Sequence, residues 1–151
     1  MNNIEIIRAT VLHAQQIAEI EQQCFSVPWS QKSVAEFLEN PLSVCFVAVT
    51  DEKTVGYIGM YCVCGNGDIT NVAVLNEYRR CGIARKLLCS MEQYSLSCGI
   101  SEISLEVRAS NTPALNLYSN SGFESVGTRK NYYTKPKEDA VLMTKYLSSA
   151  Q

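Results

Sequence analysis

A basic loop at positions 79–86 carries the strongest chemical signal in this sequence. It follows a short apolar segment, residues 72–74, and opens a helix with a strongly periodic apolar face. Its basic residues are Arg79, Arg80, Arg85 and Lys86. A helix N-terminus presents unpaired backbone N–H groups, and Gly82 lets a ligand approach them closely. We therefore expect a pyrophosphate to bind here, although the common nucleotide-binding loop motifs are absent.

Glu106 and Tyr118 are the candidates for proton transfer. Residues 102–108 alternate between apolar and polar, which puts Glu106 on the polar face near the carboxyl end of a strand. Tyr118 shares a helix face with Ala114 and Leu115, so its phenol should point inward. The pattern alone leaves two interpretations of this pair open. It could be a base and an acid, or a solvated glutamate and a core tyrosine bonded to a backbone carbonyl.

Periodicity and turn residues predict the elements that position these groups. We expect helices at 11–24, 30–39 capped by Ser30, 82–98 and 112–121 capped by Asn111. We expect strands at 4–8, 44–50, 55–64, 68–75, 102–107, 124–131 and 140–147, with turns at 51–54 and 65–67. Residues 68–107 then form a parallel strand–helix–strand unit between antiparallel hairpins. The predicted fold class is α/β, as a mixed α+β sheet with helices on both faces.

Length and composition favour one globular domain spanning residues 1–151. The chain is 46% apolar with a net charge of −2, so nothing favours general binding to nucleic acid. Glu5 and Arg8 interrupt the first apolar stretch, so no secretory signal is expected. The longest apolar run, residues 44–49, is too short to span a membrane. We expect a cytoplasmic protein.

Seven cysteines and one histidine limit the chemistry further. An odd number of cysteines without a signal sequence favours reduced thiols, and we expect most of them to be buried. No CxxC occurs and His13 stands alone, so we expect no metal site. Cys81 in the basic loop suggests an alternative mechanism, covalent catalysis by its thiol. No histidine pattern supports such a route.

Several motifs together resemble the GNAT family of N-acetyltransferases over essentially the whole chain. They are Arg79-x-x-Gly82-x-Ala84, FSVPWS at 25–30, EVRASN at 106–111, LY at 117–118, GF at 122–123, NYY at 131–133 and EDA at 138–140. Ala84 stands where many members have glycine, and the motif allows either residue. Within the family, the set resembles bacterial enzymes that acetylate the N-terminal alanine of a small-subunit ribosomal protein.

The resemblance implies the GNAT acyl-CoA N-acyltransferase fold, with acetyl-CoA in a cleft between two splayed parallel strands that end near residues 74 and 107. Its pantetheine arm would bind strand backbone, and its pyrophosphate the basic loop. The implied cofactor-binding residues are Val72, Ala73, Val74, Arg79, Arg80, Cys81, Gly82, Ile83, Ala84, Arg85 and Asn111. Glu106 matches the family's general base and Tyr118 its general acid.

The acceptor peptide should cross the mouth of the cleft between residues 25–29 and 131–135. The expected acceptor-binding residues are Phe25, Trp29, Tyr132 and Tyr133. Glu106 is the only acidic residue that we place at this mouth. The amine would attack the thioester directly, without a metal. Other acceptors (another protein N-terminus, a lysine or a small amine) remain open, as does a non-catalytic acetyl-CoA-binding module; we expect no membrane partner.

Overall fold

A computed structural model describes residues 3–147 as seven strands and four α-helices. The helices are α1 (Ala14–Cys24), α2 (Gln31–Glu39), α3 (Ile83–Ser97) and α4 (Thr112–Asn120). The strands are β1 (Glu5–Arg8), β2 (Ser43–Thr50), β3 (Lys53–Val63), β4 (Asn66–Val74), β5 (Glu102–Arg108), β6 (Glu124–Thr134) and β7 (Lys137–Tyr146). Six residues of the expected domain, 1–2 and 148–151, lie outside this description.

All seven strands join one sheet in the order β1-β2-β3-β4-β5-β7-β6. Among the strands described, only β4 and β5 pair in parallel, which confirms the predicted mixed sheet. Their pairing covers Asn66–Asp68 against Glu102–Ser104 and then stops. Beyond Asp68 the two strands therefore separate, and a gap opens in the middle of the sheet.

Helices cover both faces of this sheet, as the sequence predicts. A Cβ added at Gly59 of β3 would lie 3.0 Å from Phe37 of α2, whereas one at Gly56 would lie 3.4 Å from Ile83 of α3. Because these glycines are three residues apart, they face opposite sides of a strand. Side chains from α1 and α2 thus pack on one face and those of α3 on the other, where Leu87 and Leu88 are almost fully buried.

Two hairpin turns are tighter than predicted. The expected turn at 65–67 is Cys64–Gly65, and Asn66 and Gly67 already belong to β4. Both turn residues have positive φ, as do Asp51 and Glu52 in the β2–β3 turn. Two consecutive positive φ values are typical of type I′ turns, which match the twist of antiparallel strands.

Two further expectations are wrong. The last hairpin is longer than predicted, because β6 continues to Thr134 past an irregular stretch and β7 begins at Lys137. The expected burial of most cysteines fails, since only Cys45 is buried and four of the seven are exposed. Those four lie at turns or on the solvent-facing side of α3, outside the packed core.

No helix within residues 3–147 is both long enough and apolar enough to cross a membrane.

Candidate active site

A cleft of about 390 Å³ occupies the gap between β4 and β5. Its walls come from α1, the loop at 25–29, both diverging strands, α4 and β6. Eight of the predicted site residues border it: Phe25, Trp29, Val72, Glu106, Asn111, Tyr118, Tyr132 and Tyr133. The structure thus brings the two candidate proton-transfer groups and all four candidate acceptor residues to one place.

Glu106 reaches the cleft because β5 alternates, with Leu105 and Val107 buried on the opposite face. Its side chain is 32% exposed, and its Oε2 lies 3.4 Å from Nε of the more exposed Arg129. Burial raises the pKa of Tyr133 to about 12, with smaller contributions from Tyr132 and the Glu106 charge. The Glu106 carboxylate is therefore partly accessible, and the exposed Arg129 is its ion-pair partner within residues 3–147.

Tyr118 is only 7% exposed and packs edge-on against Phe123, with the ring centroids 5.7 Å apart. Burial raises its pKa above the usual range for a phenol, so the hydroxyl is protonated at neutral pH. Among residues 3–147, none accepts a hydrogen bond from this hydroxyl. The hydrogen bond to a backbone carbonyl that a core tyrosine would make is therefore absent from this part of the chain. The phenol is free to donate into the cleft.

The basic loop ends at a helix N-terminus that is open to ligands. Gly82 is the N-cap of α3 with φ of 76°, and no side chain caps the first-turn N–H groups. A Cβ at Gly82 would meet nothing within 4 Å, so the space above it is free. Arg80, Cys81 and Arg85 are exposed around it. This arrangement fits a phosphate group.

Other predicted members of the cofactor set are placed differently. Ile83 is 2% exposed, so only its backbone could reach a ligand, and Ala84 is half-buried. Arg79 folds back on β4, where its Nε donates to the Val74 carbonyl at 3.1 Å. Arg79 therefore braces the loop against the strand, and its guanidinium is not aimed at the helix N-terminus.

The β4 edge beyond Asp68 offers backbone groups to the cleft, because β5 no longer pairs with it there. The side chains of Ala73 and Val74 are buried, so any contact to them must use backbone. Apart from the Val74 carbonyl, which accepts from Arg79, the N–H and C=O groups left unpaired on this edge fit an arm that carries amides. Together with the α3 N-terminus, the cleft fits a CoA thioester.

Asn111 is the N-cap of α4, as predicted. Its Oδ1 accepts a hydrogen bond from the Ala114 N–H at 3.2 Å. This leaves the Nδ2 donor available on the cleft side.

The acceptor wall is tied together by residues that the sequence did not single out. Arg108 donates to the Pro136 carbonyl at 2.9 Å and to the Lys135 carbonyl at 3.0 Å. Its guanidinium also stacks 4.2 Å from the centroid of the Tyr133 ring. From the opposite wall, the Ser26 hydroxyl donates to the same Lys135 carbonyl. The loop at 25–29 and the β6–β7 turn therefore form one continuous rim.

Glu21 is the second acidic residue on the cleft, so the expectation that Glu106 stands there alone is wrong. It is 1% exposed on α1 and lines the same cavity. A signal for it exists in the sequence, because Glu21 interrupts the apolar stripe formed by Ile17, Ile20 and Cys24. A carboxylate on a core-facing stripe indicates either buried pairing or function.

Cys81 does not border the cleft; its thiol contacts the Arg79 carbonyl at 3.6 Å. The Nδ1 atom of His13 accepts a hydrogen bond from the Thr10 N–H at 3.0 Å. Within the part of the chain that the structure describes, no three His, Cys, Asp or Glu side chains cluster in a metal-binding arrangement.

Comparisons with known proteins show the family of this chain. A family model described as the acetyltransferase (GNAT) family matches residues 14–123. A Bacillus subtilis (strain 168) protein, named provisionally as a ribosomal protein bS18-alanine N-acetyltransferase, is 39% identical over 84% of this chain and 85% of its own. The Escherichia coli (strain K12) protein of that name is 33% identical over 95% of this chain and 96% of its own.

A crystal structure of the ribosomal-protein-S18-alanine N-acetyltransferase from Escherichia coli has the same fold. It superposes with a TM-score of 0.91 at 30% identity, covering 99% of this chain and 97% of that one. The family model covers well over half of the chain, and relatives above 30% identity extend along nearly all of it. The chain therefore belongs to the GNAT family of acetyltransferases.

Proposed function

We propose that this chain transfers the acetyl group of acetyl-CoA to the N-terminal alanine of ribosomal protein bS18, as a single domain spanning residues 1–151. The observation that carries the proposal is that Glu106, Tyr118 and the four acceptor-side aromatics border one cleft. The names of the Bacillus and Escherichia coli relatives support the acceptor. We place the reaction in the cytoplasm, where ribosomal proteins are made.

The cofactor site in this proposal has two parts. Backbone groups of Val72 and Val74 hold the pantetheine arm along the unpaired β4 edge, and Ala73, which pairs with Tyr57 of β3, lies between them. The α3 N-terminus, with Gly82 and the exposed Arg80 and Arg85, holds the pyrophosphate. Backbone groups of Cys81, Ile83 and Ala84, the Asn111 amide and the bracing Arg79 complete the site. Bound acetyl-CoA supplies an activated carbonyl and a thiolate leaving group.

Gly82→Ala should weaken acetyl-CoA binding about tenfold, equivalent to roughly one charge-assisted hydrogen bond. The added Cβ would enter the space through which a phosphate approaches the helix N–H groups. Gly99→Ala is the matched control, because Gly99 lies at the other end of α3 with φ of 75° and nothing within 4 Å of an added Cβ. Both variants should lose about 1 kcal/mol of stability to the left-handed backbone.

Calorimetric titration with acetyl-CoA measures the affinity difference, and thermal unfolding measures the stability loss. If Gly82→Ala and Gly99→Ala bind acetyl-CoA equally well, the pyrophosphate does not lie at this helix end.

Glu106 and Tyr118 divide the proton transfers. Glu106 takes the ammonium proton of the acceptor, directly or through a water, and Tyr118 gives its phenolic proton to the departing sulfur. An α-amine has a pKa near 8, so about a tenth is neutral at pH 7, whereas a lysine near 10.4 is almost wholly charged. A single carboxylate therefore suffices more easily for an N-terminus than for a lysine.

Two peptides test the acceptor class by mass spectrometry after incubation with acetyl-CoA. One begins with a free alanine, and the other has a blocked terminus and one internal lysine. We expect an acetyl group only on the free terminus. Acetylation of the lysine would reassign the acceptor, and no product from either peptide despite bound acetyl-CoA would indicate another amine or a binding module.

A further inference from the structure

The Glu21 carboxylate borders the cleft and takes no part in the chemistry described above. It is 1% exposed, yet it lines the same cavity as Glu106 and Tyr118. Burying a carboxylate is costly unless hydrogen-bond donors or a cation compensate for the lost water. Its place on the apolar stripe of α1 therefore requires an explanation.

Three donors from three different segments hold this carboxylate. The Trp29 N–H donates to Oε1 at 2.8 Å, and Asn71 Nδ2 donates to Oε2 at 3.0 Å. The Tyr57 hydroxyl donates to Oε2 as well. Burial, reinforced by the Glu21 charge, raises the pKa of Tyr57 far above its usual value, so Tyr57 stays a neutral donor. The network solvates the carboxylate, but none of its members cancels the negative charge.

No cation in the described part of the chain pairs with Glu21. The three ion pairs within residues 3–147 are Arg108–Glu138, Arg129–Glu106 and Lys145–Glu92. A carboxylate offers roughly four lone-pair positions, and the three donors leave one of them on Oε1. A buried anion with spare acceptor capacity on a cleft wall is suited to a cationic donor from outside the protein.

We propose that Glu21 is a specificity residue that binds the charged α-ammonium group of the incoming acceptor, before Glu106 removes the proton. This inference rests on the proposed function and deepens it, because it separates recognition of the amine from its deprotonation. An ammonium carries one positive charge and three N–H donors, which match the uncancelled charge and the open position on Oε1. Opposite charges attract several times more strongly in a partly buried cleft than in water.

Glu106 is less suited to this first step. Arg129 already lies 3.4 Å from it and is more than half exposed, so an arriving ammonium would have to compete with a cation in place. Glu21 faces no such competitor among the described residues. A neutral, blocked terminus should gain nothing from Glu21, so the residue discriminates between free and blocked termini.

Two short peptides, identical except at the first position, measure this discrimination. One begins with alanine and the other with a propionyl group, which has the shape of alanine without the amine. Each is titrated calorimetrically into the protein loaded with CoA at about pH 7, where most of the α-amine is charged. The parent protein should bind the alanine peptide about tenfold more tightly than the propionyl peptide.

Glu21→Gln keeps the size of the side chain and removes its charge. We expect the ratio of the two affinities to fall close to one, through weaker binding of the alanine peptide alone. Glu19→Gln is the matched control, because Glu19 lies on the same helix and is exposed; it should keep the parental ratio. An unchanged ratio in Glu21→Gln overturns the proposal. Equal weakening of both peptides also overturns it, since that result assigns Glu21 a purely structural role in holding the Trp29 loop.

Glu106→Gln keeps the test decisive if Glu21→Gln fails to fold. Glu21 is then the remaining carboxylate on the cleft, so the preference for the alanine peptide should persist. A ratio near one in Glu106→Gln would show that Glu106 supplies the whole attraction and would overturn the proposal. If the parent protein binds neither peptide, the proposed function itself fails, which is a different result from binding both without preference.

Discussion

Replacing Glu106 with glutamine should lower kcat for peptide acetylation by about 100-fold or more, with acetyl-CoA affinity almost unchanged. General-base catalysis contributes roughly that factor, and glutamine keeps the size of the side chain while losing its basicity. The loss should shrink as pH rises toward and above about 8, because a growing share of the α-amine is then neutral without help. Initial rates across this pH range, with acetyl-CoA binding measured separately, give the result.

Glu102→Gln is the matched control for this variant. Glu102 starts the same strand and shares the polar face of Glu106, but it does not border the cleft. Its substitution should leave the rate within about twofold of the parent, as is usual for surface changes away from a site. Equal rates for Glu106→Gln and the parent at neutral pH would remove Glu106 from the mechanism.

Tyr118→Phe should lower kcat by about 10- to 100-fold. The change removes only the hydroxyl and leaves the ring packed against Phe123, so the fold should persist. Because burial raises the pKa of Tyr118, its protonated and active form should persist beyond the usual phenol pKa. The parent kcat should therefore show no decline from this group up to about pH 10.

Tyr94→Phe controls for the loss of a phenol in general, since Tyr94 is on α3 and does not line the cleft. It should turn over at the parental rate. A Tyr118→Phe enzyme with full activity would leave Tyr118 as a packing residue, and sulfur would then take its proton from another source.

Local patterns were sufficient to predict most of the architecture. The alternation along β5 fixed which face carries Glu106, and the N-cap residues Ser30 and Asn111 marked two helix starts. Such signals are local, so they can be read without knowing which distant segments pack against them. The parallel pairing of β4 and β5 also followed, because a helix connects them.

Features that depend on distant partners were missed. The network around Glu21 joins α1, β3, β4 and the loop at 25–29, and no spacing in the sequence relates these segments. The rim built by Arg108 depends in the same way on the β6–β7 turn, nearly thirty residues away. Arg79 belongs to the motif, yet its side chain faces the Val74 carbonyl because the loop turns back at that point. Motif membership did not determine its direction.

Intact-protein mass spectrometry of purified, unacetylated bS18 tests the central claim most directly. The bS18 substrate, with its N-terminal alanine free, is incubated with this enzyme and acetyl-CoA. Fragment ions then locate any added group. We expect one acetyl group, on the α-amine of that alanine, and none when Glu106→Gln replaces the parent enzyme for the same short time. Unmodified bS18 after prolonged incubation with active, acetyl-CoA-binding enzyme, or acetyl groups only on lysines, would contradict the account.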